Sequence, residues 1–198
     1  MIESRKDYLS YLERDRHALA QKRKKPRFLA DEVWKFERLL RKLEYHTNCR
    51  KARLWKGGYL LLKFRFRRLS IRLGFDIPCN VFGPGLSIAH YGTIIVNGAA
   101  RIGANCRIHA GVNIGTKAGH TFQAPKIGDN VYIGPGVKIF GPIQIASGIA
   151  IGANSVVNKS FKEPNISIAG VPAKKISDKG SEGLIHSHAG NPSSAEPR

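Results

Sequence analysis

Apolar residues between positions 102 and 157 recur every six residues. Ile102, Ile108 and Ile114 hold one phase, and Ile127, Ile133, Ile139, Ile145, Ile151 and Val157 resume it. Three places after these markers stand Asn105, Gly111, Asn130, Gly136, Pro142, Gly148 and Asn154; four places after stand Cys106, Val112, Val131, Val137, Ile143, Ile149 and Ser155. Asn and Gly accept a positive φ at least cost, so each hexapeptide reads as a short strand followed by a turn. Helices repeat near 3.6 residues and strands near two, so neither a helix nor a hairpin fits. Three such units close one triangular turn of about 18 residues, and the turns stack at the ~4.8 Å spacing of paired strands with the marker side chains filling the axis. From Ile114 to Ile127 the step is thirteen in place of twelve, and the polar, Gly- and Pro-marked stretch between them predicts a loop over 116–126 that leaves the prism.

Before the repeat the period changes. Val33, Phe36, Leu39, Leu40 and Leu43 recur at three and four residues with Lys35, Arg38, Arg41 and Lys42 between them, which predicts an amphipathic helix. A second helix is predicted from about Leu54 to Leu73, with Gly57 and Gly58 weakening its first turn. After the repeat, residues 177–198 are rich in Gly, Ser, Pro and His and read as a disordered tail. The expected organisation is a helical segment over 1–75, a β domain over 76–176 and that tail.

Charge sharpens the first boundary. Residues 1–75 carry 22 Lys and Arg against 8 Asp and Glu, a net +14 of the chain's +19. Such a segment suits an anionic membrane face or a phosphate-linked glycan. It lacks a nucleic-acid module, and Trp34, Trp55, Tyr59, Phe64 and Phe66 lie among aliphatics at helical spacing, so no nucleic-acid partner is expected. No apolar run approaches the roughly 18 residues that span a bilayer, and the charged start MIESRKDYLS lacks a signal-peptide core. Cys49, Cys79 and Cys106 are odd in number and widely spaced, which fits neither a disulfide framework nor a zinc knuckle. A reduced, cytoplasmic protein is expected, peripheral at the inner membrane face if the basic segment docks there.

The segment GFDIPCNVFGPGLSIAHYGTIIVN, the coils after it and the ending IAGVPAKKI resemble the serine acetyltransferases and, more closely, their relatives that O-acetylate capsule and lipopolysaccharide. The resemblance covers about Gly74 to Ile176 and implies the left-handed parallel β-helix of the hexapeptide-repeat acyltransferases, assembled as a homotrimer. It implies acetyl-CoA as co-substrate, His90 as catalytic base and Asp76 of the Asp76-Ile77 pair as its partner. The chemistry agrees: an imidazole near neutral pKa takes the hydroxyl proton as oxygen attacks a thioester, and a carboxylate on its other nitrogen fixes the tautomer. His109, one coil after His90, and His120 and Gln123 in the loop are acceptor-binding candidates.

For the coenzyme the resemblance points to Gly115, Gly134, Ala153 and Gly170 along the pantetheine arm, with Lys174 and Lys175 for its phosphates, ahead of Lys138 and Lys159. Cys106 sits at an inward repeat position, so direct transfer without an acetyl-cysteine intermediate is expected. No metal is expected in this reading; the alternative on the same prism is a zinc hydratase with His90, His109 and His120 converging on one ion. Serine acetyltransferases place charged residues where this chain has Ala89, Gln123 and Ala124, which would hold serine's ammonium and carboxylate. Their absence favours a saccharide hydroxyl as acceptor, with L-serine as the alternative.

Overall fold

The computed structural model describes residues 1–49 and 56–186. Leu54 and Trp55 of the second predicted helix, and residues 187–198 of the predicted tail, lie outside the described residues. Three helices, α1 (Arg5–Ala18), α2 (Glu32–Cys49) and α3 (Lys56–Leu73), precede a run of short strands. From Ser87 to Val157 the strands visit three sheets in rotation and pair in parallel; Ser167–Gly170 continues the sheet of Ile88, and Ala173–Ser177 turns back on it as an antiparallel hairpin.

The hexapeptide markers sort into one vertical ladder per sheet. Ile102, Ile127 and Ile145 stack in one sheet. Ile88, Ile108, Ile133, Ile151 and Ile168 stack in the next, and Val96, Ile114, Ile139 and Val157 in the third. All of these side chains are buried, so the repeat is the axis of a three-sided coil. The expected turn residues Asn105, Gly111, Asn130, Gly136, Gly148 and Asn154 all take positive φ. Pro142, whose ring forbids that conformation, passes it to Gly141 at φ 91°. At Gly136 a Cβ would collide with Oδ1 of Asn154 on the next coil, so that corner requires glycine.

Two expectations are corrected. Lys126 already pairs with Gln144 in a strand, so the loop covers 116–125. The tail is structured as far as residue 186: Ser181 is buried, its N–H donates to Gly148 O at 2.9 Å and its Oγ donates to Asn130 O at 2.5 Å. That segment returns down the coil instead of leaving it. The helices pack on the coil: Phe36, Leu40 and Leu73 belong to the same buried cluster as the coil residues. Phe36 stacks on Phe66 at 5.2 Å and meets Phe75 edge-on at 5.0 Å.

Helix α1 was not visible in the hydrophobic pattern. Its cap is ordinary: Ser4 Oγ accepts from the Asp7 N–H at 3.0 Å, and Asp7 accepts from the Glu3 N–H at 3.1 Å. Its buried face, however, carries Asp15. For the same reason α2 runs beyond Leu43, since Glu37, Arg41 and Glu44 share its inward face. Arg41 is the hub. Its guanidinium bonds Asp15 at 2.7 Å and Glu44 at 3.0 Å and donates to the carbonyls of Phe82 and Gly83. Asp15 accepts from the amides of Gly85 and Leu86, Glu44 from Asn80 N–H, and Glu37 from Ile88 N–H. Burial works against a charge on Arg41, but Asp15 and Glu44 outweigh it and keep the guanidinium charged. Burial, with the charge of Asp15 behind it, pushes the Glu37 carboxyl well above the usual carboxylate range. Burial thus favours the protonated form of Glu37.

Breaking one partner of a buried ion pair typically costs about 3 to 5 kcal/mol. Arg41→Leu is expected to lose about that much unfolding free energy in urea at pH 7. Arg41→Lys should recover little of it, since an ammonium cannot bridge two carboxylates and two carbonyls at once. A loss under ~1 kcal/mol for Arg41→Leu would show that the network is dispensable.

Candidate active site

One corner of the coil concentrates the chemistry. One residue past the Ile88 ladder come Ala89, His109, Gly134, Gly152 and Ala169, and two past it come His90, Ala110, Pro135, Ala153 and Gly170. A Cβ at Gly134 would stand 2.8 Å from Ile151 O, and one at Gly152 would stand 2.9 Å from the Ala169 Cβ. Close backbone approach thus keeps the corner free of side chains above His109. The His90 and His109 rings lie 6.4 Å apart, and His109 meets Tyr132 at 4.9 Å. His109 Nδ1 is 3.0 Å from Ile133 O; a carbonyl only accepts, so Nδ1 carries the hydrogen and Nε2 of the neutral ring is left as an acceptor. Burial lowers the His109 pKa, with the nearby Arg107 and His90 adding to it, while the Ile133 bond pulls the other way. His109 is accordingly neutral at pH 7.

His90 is exposed on the wall of a cavity of about 470 Å³ that Asp31, Glu32, Arg72, Leu73 and Tyr91 also line. These neighbours come from the helices. Asp31 precedes α2 at φ 60°, and its carboxylate accepts from the Arg27 N–H at 2.8 Å and pairs with Arg23 at 3.1 Å and Arg27 at 3.3 Å. The Arg27 amide and guanidinium, with Arg23, hold that carboxyl below the usual range. Glu32 pairs with Lys35 at 3.3 Å. Among the described residues Arg72 has no carboxylate partner, so the cavity presents both signs of charge with one cation free.

The expected site residues divide between corners. His90, His109, Gly134, Ala153 and Gly170 share the corner just described, and Lys174 lies across the hairpin from Ala169. Lys175 is engaged by Glu163 and Asp178, each at 2.6 Å, so its charge is already matched. Asp76 is exposed on a different sheet beside Ile95 and lines a separate cavity, so the expected pair with His90 is not formed within the chain. Gly115 pairs with Phe140 on that same sheet, at the corner from which the loop departs. His120 and Gln123 stand on the loop, which is closed by bonds from Lys117 N to Gln123 O and from His120 N to Lys117 O. His120 is thus away from the other two histidines, and among the described residues no three His, Cys, Asp or Glu side chains group as metal ligands. Cys106 is buried, and burial pushes its thiol up to about 12, which leaves no thiolate for covalent catalysis. Sequence reasoning missed Asp31, Glu32 and Arg72, which bear no fixed spacing to the repeat; the only signal was their position at helix ends beside it.

No protein-family model matches the chain. Serine acetyltransferase of Mycobacterium tuberculosis is 35% identical over 126 residues, 62% of this chain and 55% of that protein. Serine acetyltransferase of Salmonella typhimurium is 36% identical over 132 residues, 65% of this chain and 48% of that protein. The chain therefore spans about half the length of the curated relatives it matches. Among solved structures, serine acetyltransferase of Brucella abortus in complex with coenzyme A superposes with a TM-score of 0.70 at 28% identity, covering 89% of this chain and 70% of that one. The Neisseria gonorrhoeae enzyme in complex with serine gives 0.67 at 27% identity, covering 88% and 71%.

These similarities overturn the saccharide acceptor expected from Ala89, Gln123 and Ala124. The physical reason lies in the cavity at His90, where charged groups of both signs are supplied by the helices and not by those three positions. The six-residue repeat, the three-sheet coil built on it and these relatives make the chain similar to the serine acetyltransferases of the hexapeptide-repeat type.

Proposed function

We propose that this protein is an acetyl-CoA-dependent O-acetyltransferase whose acceptor is the hydroxyl of L-serine. The observation that carries the reading is His90 standing on a bare-backbone corner and on the wall of a cavity lined by Asp31, Glu32 and Arg72. A zwitterion needs both signs of charge, and a charge-assisted hydrogen bond is worth roughly 1.5 to 3 kcal/mol. Arg72, without a carboxylate partner among the described residues, takes the carboxylate, and Asp31 and Glu32, though paired with Arg23, Arg27 and Lys35, face the ammonium. The relatives that carry the name serine acetyltransferase support the same acceptor.

The reaction follows from these placements. A ring nitrogen of His90 accepts the serine hydroxyl proton as the oxygen attacks the thioester carbonyl. The tetrahedral intermediate then expels the coenzyme A thiolate, which takes the proton back from the imidazolium, leaving O-acetylserine and free thiol. Backbone groups exposed by Gly134 and beside Ala153 and Gly170 suit the amide-rich pantetheine arm, and Lys174 is the cation left for the phosphates. Asp76, apart from His90 within the chain, is assigned no step. The half-buried, neutral His109 supplies an acceptor atom to the acceptor side of the site.

We further read the coil as the left-handed β-helix of this family and its assembly as a homotrimer. The corner with His90 and the corner with Gly115, His120 and Gln123 are different edges of one prism, and only a neighbouring copy can bring the second to the first.

Three outcomes test the proposal. His90→Ala is expected to lose about 100- to 10,000-fold in turnover while its circular dichroism stays unchanged; near-parent turnover removes His90 as the base. Arg72→Gln should raise the KM for serine by roughly 10- to 100-fold with kcat less affected, and O-acetylserine should be the product by mass spectrometry. Sedimentation should report a three-fold assembly, and a fully active monomer contradicts the shared site.

A further inference from the structure

We infer that α3 is a docking surface for a bilayer containing anionic lipid. The helix has two apolar faces. Leu62 and Leu73 are buried, and Phe66 and Leu69 pack against the core, which fixes its inner seam. Leu60, Phe64 and Ile71, four and seven residues apart, fall within about 40° of one another at ~100° per residue and lie opposite that seam. They are 65%, 56% and 70% exposed, and Leu61 beside them is 58% exposed. A surface helix ordinarily turns polar residues there, and a contiguous exposed apolar stripe marks an interaction site.

The flanks of the stripe are cationic. Lys63 and Arg67 stand on one side and Arg65, Arg68 and Arg72 on the other, and α3 contains no Asp or Glu. On the second flank a recess of about 860 Å³ between α3 and α2 is lined by Lys35, Arg38, Lys42, Arg65, Arg68 and Arg72, with no carboxylate on its walls. Leu60 to Ile71 spans about 16 Å of helix, long enough to lie along an interface with its apolar side chains at the acyl boundary and its cations among the phosphates. A second copy fits poorly, because a two-fold contact sets the same cations against each other with nothing to offset them. Nucleic acid satisfies the cations and leaves the apolar stripe uncovered. Charge and apolar area together select the lipid surface. The inference does not need Arg72, which the proposed function assigns to the acceptor, and otherwise stands apart from the acetyl-transfer reading.

The test is flotation of the full chain with vesicles of phosphatidylcholine alone or mixed with phosphatidylglycerol, at ~0.05 M and ~0.5 M salt. Binding is expected to the mixed vesicles at low salt, at least about tenfold weaker without phosphatidylglycerol and largely lost at high salt. L60Q/F64Q/I71Q should weaken it about tenfold or more, and R65Q/R67Q/R68Q about 100-fold, each with unchanged circular dichroism. Parent-like binding by the apolar variant would leave charge alone as the cause and overturn the inference. So would a lower sedimentation coefficient for that variant without lipid, which makes the stripe a seam between copies. Tight binding of a single-stranded oligonucleotide, untouched by the apolar substitutions and accompanied by no vesicle binding, would assign the surface to nucleic acid instead.

Discussion

A stack of coils has two ends, and at each end the backbone donors and acceptors that pair between coils run out of partners. Here the first coil is closed by the ion cluster around Arg41. Its guanidinium takes the carbonyls of Phe82 and Gly83, Asp15 takes the amides of Gly85 and Leu86, Glu44 takes Asn80 and Glu37 takes Ile88. Side chains of two helices thus do what another coil would do by main-chain bonding. Leaving those buried groups unmet would cost roughly 1 to 3 kcal/mol each, which is why charged residues are retained there in spite of their own desolvation. The corner that carries His90 depends on this closure, because Ile88, held by Glu37, is two residues from His90. The start of α2 and the last turn of α3 bring Asp31, Glu32 and Arg72 to the cavity wall.

This division explains what was legible in the sequence. Residues whose burial follows from a single ladder could be read at once: nine markers at six-residue spacing, and the turn residues Asn105, Gly111, Asn130, Gly136, Gly148 and Asn154, all at positive φ. A ladder repeats one environment, so one rule serves for many positions. The cap has no such repetition. Asp15, Glu37, Arg41 and Glu44 are charged residues on inward faces, and a search for hydrophobic period counts each of them as solvent-facing. That is why α1 was missed and α2 was cut short at Leu43. The return of residues 177–186 along the coil was hidden for a related reason: it is held by Ser181 and by Gly180, which lies against the Gly148 carbonyl, and not by apolar side chains.

The site was legible in halves. His90 is assigned by the resemblance, and His109 by its step of about one coil after His90; the structure sets the two rings 6.4 Å apart. The acceptor could not be read from Ala89, Gln123 and Ala124, since charge missing from a strand or loop can be supplied by any segment that folds against it. In the reading proposed here it comes from the start of α2 and from the last turn of α3, more than fifteen positions from His90 in sequence. Asp76 shows the opposite failure. A short sequence interval made it look like a neighbour of His90, yet the interval crosses from one sheet to another, and each sheet faces its own cavity.

The three-sided cross-section sets the last constraint. Adjacent faces of a prism point about 120° apart, so residues on one corner and residues on the next cannot converge on one small molecule outside the axis, however the side chains turn. His90 and the bare-backbone ladder above it occupy the corner where the sheet of Ile88 gives way to the sheet of Ile94, while the 116–125 loop springs from the corner after Gly115. The interior offers no shared space, because the ladders that fill it are fully packed. A site that uses both corners therefore needs two chains with the loop corner of one against the histidine corner of the other. A rotation that repeats this contact and closes after three copies joins each loop corner to one histidine corner, as the proposed homotrimer requires.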